Sequence, residues 1–324
     1  MFLVGDIGGT NTRLALFESN QKCIKEKRFL SSNYNSLIEA INDFLKNEKV
    51  KIKAASFGIA GPIRNGKCQT TNIPWIIDSN EIRTHLNIKN VYLLNDLQAN
   101  AYGIEVLKED EFYVINEGIK DQKGNRCLLA AGTGLGEAGL FFDGKKHIPF
   151  ACEGGHCDFA ARNELEIEIF KFLEKKYSHV SYERILSGPG IYNLYSFLYE
   201  SKLEQSPSEF HKEIQNSKEP QIAITKKAIS SEMKICERTI EIFVSIYGAE
   251  AGNFALKTFA LNGVYIGGGI APKILEKLKE GHFFKSFIDK GRFSSLLESI
   301  PIKVILNDKA ALLGAAYYAS INNN

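Results

Sequence analysis

Asp6 stands just ahead of Gly8, Gly9 and Thr10 in the string VGDIGGTNTRLALF, residues 4–17. Glycines let a backbone approach a polyphosphate closely, and a threonine hydroxyl adds a donor. A carboxylate beside phosphates repels them unless a cation lies between, so Asp6 implies Mg²⁺ held through water, since that ion keeps much of its hydration shell. A second turn of the same kind carries Gly132, Thr133 and Gly134, and a third carries Gly267, Gly268 and Gly269. One such turn alone reads better as a tight hairpin that Asp6 merely caps. Three turns together with Asp6 favour phosphate chemistry. Two common templates are excluded. No G-x-x-x-x-G-K-[ST] string occurs, and G-x-G-x-x-G fails because Glu137 and Pro272 stand where the last glycine is needed.

These turns need elements to hold them. Residues 2–5 and 13–17 read as short strands of a hairpin around the first glycines. A helix is expected at 37–47, a strand at 54–63, and a strand running into a helix at 90–104, with Asn95 and Asp96 at the junction. Residues 126–142 form a strand broken by glycines. Helical spacing covers 164–177, 190–200 and 222–262, the last as more than one helix. Residues 262–279 read as strand, glycine turn and helix, with Pro272 early in the helix. The polar span 200–221 is expected to be a mobile excursion, and the basic stretch KVKIK (49–53) a solvated strand edge. Alternating strands and helices place the chain in the α/β class. The order of glycine hairpin followed by glycine-ended strand occurs twice, which suggests two related half-folds facing one cleft, although glycine-rich strand ends can also resemble each other by chance.

The chain of 324 residues is 44% hydrophobic and 24% charged, with a formal charge of +2. That balance offers no electrostatic reason to expect nucleic acid or an anionic membrane as partner. No run of about 18 apolar residues spans a membrane. No secretory leader is expected, because Asp6 interrupts the first apolar run. Six scattered cysteines read as reduced thiols of a cytoplasmic protein.

Taken in order, the strings GDIGGTNTRLAL, GIAGPI, TNIPW, LLNDLQANAYGI, AGTGLGEAGL, EGGHCDFA, HVSYERILSGPGIYNLY, NFALKTFALNGVYIGGGIAPK and DKGRFS resemble the bacterial glucokinases over nearly the whole chain. The resemblance implies a two-domain actin-like, ribonuclease-H-like ATPase fold with a cleft between domains. It divides the chain into 1–106 with 305–324, whose terminal helix returns to the first domain, and 107–304. It implies ATP-dependent phosphorylation of glucose on its 6-hydroxyl, the first step of glycolysis, with ATP bound at Gly5, Asp6, Ile7, Gly8, Gly9, Thr10, Gly132, Thr133, Gly134, Gly268 and Gly269. It also implies sugar contacts at Asn95, Asp96, Glu153, His156 and Glu183, with Asp96 accepting the proton of the 6-hydroxyl, and it suggests a homodimer.

Other readings of the same residues stay open at this stage. Asp96 can be a helix N-cap, and Glu153 and Glu183 can be surface charges. Cys152, His156 and Cys157 lack a fourth ligand at zinc-like spacing, so no zinc site is expected. Trp75 is expected to pack rather than to stack on a ligand. A kinase of another hexose, or a non-catalytic sugar sensor, uses the same scaffold.

Overall fold

The computed structural model describes residues 1–19, 21–70, 73–120 and 122–323. Thr71 and Asn72 of the TNIPW string therefore lie outside the described residues. The chain divides into two compact units, 1–111 with 307–324 and 112–306.

The first unit begins with β1 (Phe2–Ile7) and β2 (Asn11–Phe17), an antiparallel pair closed by the turn at Gly8–Thr10, and β3 (Cys23–Leu30) extends it. After α1 (Leu37–Leu45), β4 (Ala54–Ile59) runs parallel to β1. The expected strand at 54–63 stops at Ile59, and Gly61 (φ +150°) turns the chain away. It enters a small sheet of β5 (Ile63–Arg64), β6 (Lys67–Gln69) and β7 (Ile76–Asp78). Then α2 (Ser79–Leu86) leads to β8 (Asn90–Asn95), parallel to β4, and β8 runs directly into α3 (Asp96–Ile104). The order of the main sheet is β3-β2-β1-β4-β8.

Alternation along β1 sends Leu3 and Ile7 to one face and Phe2 and Val4 to the other. Leu3 and Ile7 join Leu37, Ile41, Phe44 and Ile82 of α1 and α2. Phe2 and Val4 pack on Leu312, Ala315, Ala316 and Ala319 of the chain's last helix, Ala310–Ile321. Residues 49–53 are not a strand edge: they approach β4 as irregular chain, with Lys49, Lys51 and Lys53 exposed and Val50 and Ile52 packed on the core. Trp75 is 1% exposed and donates its indole N–H to Tyr34 O at 3.0 Å, a packing residue.

The second unit repeats the strand arrangement. After an edge strand β9 (Phe112–Asn116) come β10 (Arg126–Ala131), β11 (Leu135–Phe142) and β12 (His147–Cys152), an antiparallel meander. Next are α4 (Glu164–Glu174), α5 (Gly188–Glu200), α6 (Ser208–Asn216), α7 (Pro220–Ile229) and α8 (Lys234–Thr258). β13 (Val264–Gly267) and β14 (Ile302–Ile305) complete a sheet of order β12-β11-β10-β13-β14-β9, with β10, β13 and β14 parallel. Each unit thus has a three-strand meander whose first strand is followed by two parallel neighbours, the same order in both.

The helical stretch expected at 222–262 is two helices, α7 and α8, broken where Ser231 adopts φ +51°. The span 200–221, expected to be a mobile excursion, carries α6. Phe210 and Ile214, one helical turn apart, are buried in the core of the second unit, and that apolar pair anchors it.

In the first unit α3 and the terminal helix cross at backbone distance. An added Cβ on Gly314 would lie 1.8 Å from Ala99 O, and one on Gly103 would lie 2.2 Å from Ala310 O. Backbone cannot retreat as a side-chain tip can, so overpacking here is costly. Gly314→Ala is expected to lower stability by about 1–3 kcal/mol, read as a reduced midpoint in denaturant unfolding. A midpoint equal to that of the wild type would show that the two helices can separate freely.

Candidate functional site

The parallel registers place the acidic residues of the first unit on one sheet edge. Asp6 pairs with Gly58, Ile7 with Ile59, and Ile59 with Asn95. The carboxyl ends of β1, β4 and β8 therefore finish level, the edge at which open α/β sheets receive ligands. At the usual strand spacing, β1 and β8 are roughly 10 Å apart.

Asp6 is half-buried, and burial raises its carboxyl above the ordinary value, with the positive Arg13 opposing that rise. Arg13 is its cross-strand partner, and it donates to Asp308 O at 3.1 Å and to Asp308 Oδ2 at 2.5 Å. The turn behind Asp6 is braced from below. Gly8 N–H donates to Asn11 O at 2.9 Å, Ser31 Oγ donates to Gly8 O at 2.9 Å, and Ser31 N–H donates to Thr10 O at 3.0 Å. Thr10 is exposed and Gly9 half-buried. Gly5 and Ile7 serve the core: Ile7 is 1% exposed, and a Cβ on Gly5 would fall 2.7 Å from Phe57 Cδ1.

At the start of α3 the capping work falls to Asn95. Its Oδ1 accepts Leu97 N–H at 3.0 Å and Gln98 N–H at 3.4 Å, which leaves its amide NH₂ as the donor it can offer a ligand. Asp96 is the first helical residue, half-exposed, with Oδ1 accepting Leu97 N–H at 2.9 Å. Burial and then the charge of Asp96 push the thiol of Cys68, on β6, up.

In the second unit two glycine turns share an edge, because Ala130 of β10 pairs with Gly267 of β13. Gly268 has φ +82°, and a Cβ there would lie 2.3 Å from Ala131 O, so glycine is needed for both reasons. Ile270 N–H closes the crossing by donating to Ala131 O at 3.2 Å. Thr133, Gly268 and Gly269 are exposed, and a Cβ on Gly132 or Gly269 would meet nothing within 4 Å. The start of α5 abuts the first of these turns, with Gly188 N–H donating to Gly132 O at 2.8 Å.

Glu183 joins this turn to the expected sugar residues. Its Oε2 accepts Leu135 N–H at 3.0 Å beside Gly134, and its Oε1 lies 3.9 Å from His156 Nδ1. Glu153 and His156 are exposed on the short turn that follows β12, and His156 N–H donates to Glu153 O at 3.0 Å. Gly132, Thr133, Gly134, Glu153, His156 and Glu183 thus form one local group in the second unit. Asp6, Gly8, Gly9, Thr10, Asn95 and Asp96 form another in the first. Among the described residues no group of three or more His, Cys, Asp or Glu side chains is arranged to hold a metal.

Two residues escaped the sequence reading. Arg13 looked like an ordinary strand residue and is the cross-strand partner of Asp6. Glu137 looked like part of a motif and is a fully buried acid. Its signal was present, because a glutamate in the apolar run LGEAGLFF has few exposed places to go.

Two α/β units with one strand order, each bearing glycine turns at strand ends and site carboxylates beside them, have the fold of the two-domain sugar kinases. The glucokinase family model matches residues 3–322. Glucokinase of Trichormus variabilis is 36% identical over 338 residues, covering 99% of this chain and 99% of that protein. The crystal structure of a glucokinase from an Antarctic psychrotroph matches with a TM-score of 0.85 and 30% identity, covering 99% of each chain. A ROK family glucokinase from Streptomyces griseus, in complex with glucose and AMPPNP, shares the fold with a TM-score of 0.67 at 17% identity, covering 99% of each chain. The chain belongs to the glucokinase family, and its activity is the ATP-dependent phosphorylation of glucose.

Gly268→Ala combines a left-handed backbone with a clash against Ala131 O and is expected to cost about 1–3 kcal/mol or more. Thermal unfolding measures the loss. Unchanged stability would show that the turn can take another path.

Proposed function

We propose that Asp96 is the base that accepts the proton of the glucose 6-hydroxyl as the γ-phosphoryl group of ATP moves to that oxygen. One observation carries this: Asn95 already caps α3, so Asp96 is not needed as the cap and stands at the strand edge that Asp6 also occupies. Its bond from Leu97 N–H orients the carboxylate. A base so placed contributes about 10²–10⁴-fold.

Asn95, Glu153, His156 and Glu183 are the groups we assign to the sugar hydroxyls, along with Asp96 itself. Carboxylates accept from hydroxyls, while amide and imidazole N–H groups donate to them. A glucose epimer with one inverted hydroxyl would leave such a group unpaired, which is how polar sites discriminate. Gly8, Gly9 and Thr10, with Gly132, Thr133, Gly134, Gly268 and Gly269, are assigned to ATP. The exposed turns offer backbone approach, and the Gly5 and Ile7 side positions serve packing beneath them.

Asp6 fits a hydrated Mg²⁺. It is a hard oxygen donor whose burial disfavours its own charge, and its cross-strand cation, Arg13, is bonded to Asp308. When bound, the ion would neutralise charge on the phosphate oxygens. Phosphoryl transfer is otherwise positioning and charge stabilisation, which the turns and the oriented carboxylate supply.

Three coarser assignments accompany this one. Domains of 1–106 with 305–324 and of 107–304 are supported by the two compact units. A homodimer is supported by the exposed Phe141, Ile148 and Phe150 near the edge strand β12. A cytoplasmic setting is supported by six free cysteines, and no described helix is long and apolar enough to cross a membrane.

Asp96→Ala is expected to retain glucose binding by calorimetry while turnover falls by about a hundredfold or more. Near-normal turnover would remove Asp96 from the base role. The same coupled assay, run over a panel of hexoses and phosphoryl donors with Mg²⁺ present and then chelated, tests the substrate and cation assignments.

A further inference from the structure

Beneath the Glu153–His156 turn lies a carboxyl that the mechanism above does not use. Glu137 points inward from β11 and is 1% exposed, and neither of its oxygens meets a hydrogen-bond partner among the described residues. Its cross-strand partner is Cys152, the last residue of β12, after which the turn begins. An added Cβ on Gly154 would lie 1.8 Å from Glu137 Oε2, and one on Gly155 would lie 2.1 Å from Leu135 O. The turn therefore rests flat on β11, and the Glu137 carboxyl is the floor under Gly154.

A second buried acid faces it. Glu250, on α8, is fully buried. Its Oε2 accepts Asn253 Nδ2–H at 2.9 Å, and its Oε1 lies 3.6 Å from the Lys257 ammonium. The other titratable groups around Glu137 are Cys127 from β10, Cys152 from β12 and Tyr247 from α8, and Tyr182 lies against Glu250. Lys257 opposes both carboxyls, and Lys290 also feels the charge of Glu250.

We propose that Glu137 is a positioning residue for glucose: its buried carboxyl seats Gly154 and so sets where the turn presents Glu153 and His156. This rests on the sugar role assigned to those two residues above. Burial, and then the charge of Glu250, push Glu137 up to about 8, with Lys257 opposing. Burial raises Glu250 as well. Near neutrality Glu137 therefore keeps its proton. A neutral acid under a backbone turn costs far less than an anion there. An anion there, facing Glu250 with no hydrogen bond, is relieved when the turn lifts and water enters.

The sign follows from the direction of the shift. The folded value lies above the ordinary 4.5, so the stability associated with the protonated carboxyl is complete below about pH 4.5 and is lost as pH rises through about 8. Seating of the turn, and glucose affinity with it, weakens over the alkaline part of that window.

Steady-state kinetics on the full-length enzyme test this. For the wild type, glucose KM is expected to rise roughly tenfold between about pH 7 and about pH 9.5, the change that one unit of differential pKa produces, with no parallel rise in the KM for ATP. Glu137→Gln, which has no proton to lose, is expected to hold its glucose KM level over that range. Glu250→Gln removes a neighbouring anion and is expected to move the wild-type rise to lower pH. A flat wild-type profile, or a Glu137→Gln profile that climbs in parallel with the wild type, overturns the proposal. If Glu137→Gln does not fold, the wild-type and Glu250→Gln profiles decide it, and an unmoved inflection counts against it. Glu153→Ala and His156→Ala separate the two layers. If neither raises glucose KM, the sugar-site assignment fails. If both raise it while the pH profile stays flat, only the role of Glu137 fails.

Discussion

The parallel ladder joining β1, β4 and β8 is the constraint on which the acidic edge of the first unit depends. Parallel pairing fixes both direction and register, so Ile7, Ile59 and Asn95 finish on one line. Asp6 and Asp96 lie far apart in the chain and meet at one edge because three strands stop together. The ladder in turn depends on the terminal helix, which covers one sheet face and grips α3 through Gly103 and Gly314. The last residues of the chain thereby help place the first residue of α3, which is Asp96.

In the second unit the same strand order does different work. The turns after β10 and β13 cross closely enough that Gly268 must be glycine. Glu183 ties the first of these turns to the neighbourhood of His156 through its bond from Leu135 N–H. A group assigned to the sugar and a turn assigned to phosphate are therefore mechanically joined, and a shift in either is felt by the other. The turn bearing Glu153 and His156 is held differently, by steric contact of Gly154 and Gly155 with β11 and the Glu137 carboxyl.

Charge is arranged in both units so that carboxylates face a shortage of cations. Asp6 shares Arg13 with Asp308, and Lys257 opposes the burial of both Glu137 and Glu250. Buried acids with too little positive charge are raised in pKa, and such acids either await a cation or keep a proton. Asp6, at an edge beside exposed turns, suits the first outcome. Glu137, under a closed turn, suits the second.

Much of this was written in the chain. The hairpin around Gly8–Thr10 and the strand running into α3 at Asn95–Asp96 follow from local patterns: alternation, glycine turns and a capping residue next to an apolar run. The assignment of the turns to phosphate could be argued from residue type only because three of them occur with Asp6, since one alone reads as a capped hairpin. Local pattern could not separate Asn95 from Asp96 as the cap, since both side chains can reach the same N–H groups and only backbone geometry chooses. Nor could it foresee the helix at Ser208–Asn216, whose polar composition hides two apolar residues one turn apart. The register that levels Asp6 with Asn95, the closeness of Glu183 to the Gly134 turn, and the burial of Glu137 under Gly154 all join residues distant in sequence. Those contacts belong to tertiary structure, because they are set by which strands pair and which faces are covered, and no window along the chain contains both partners.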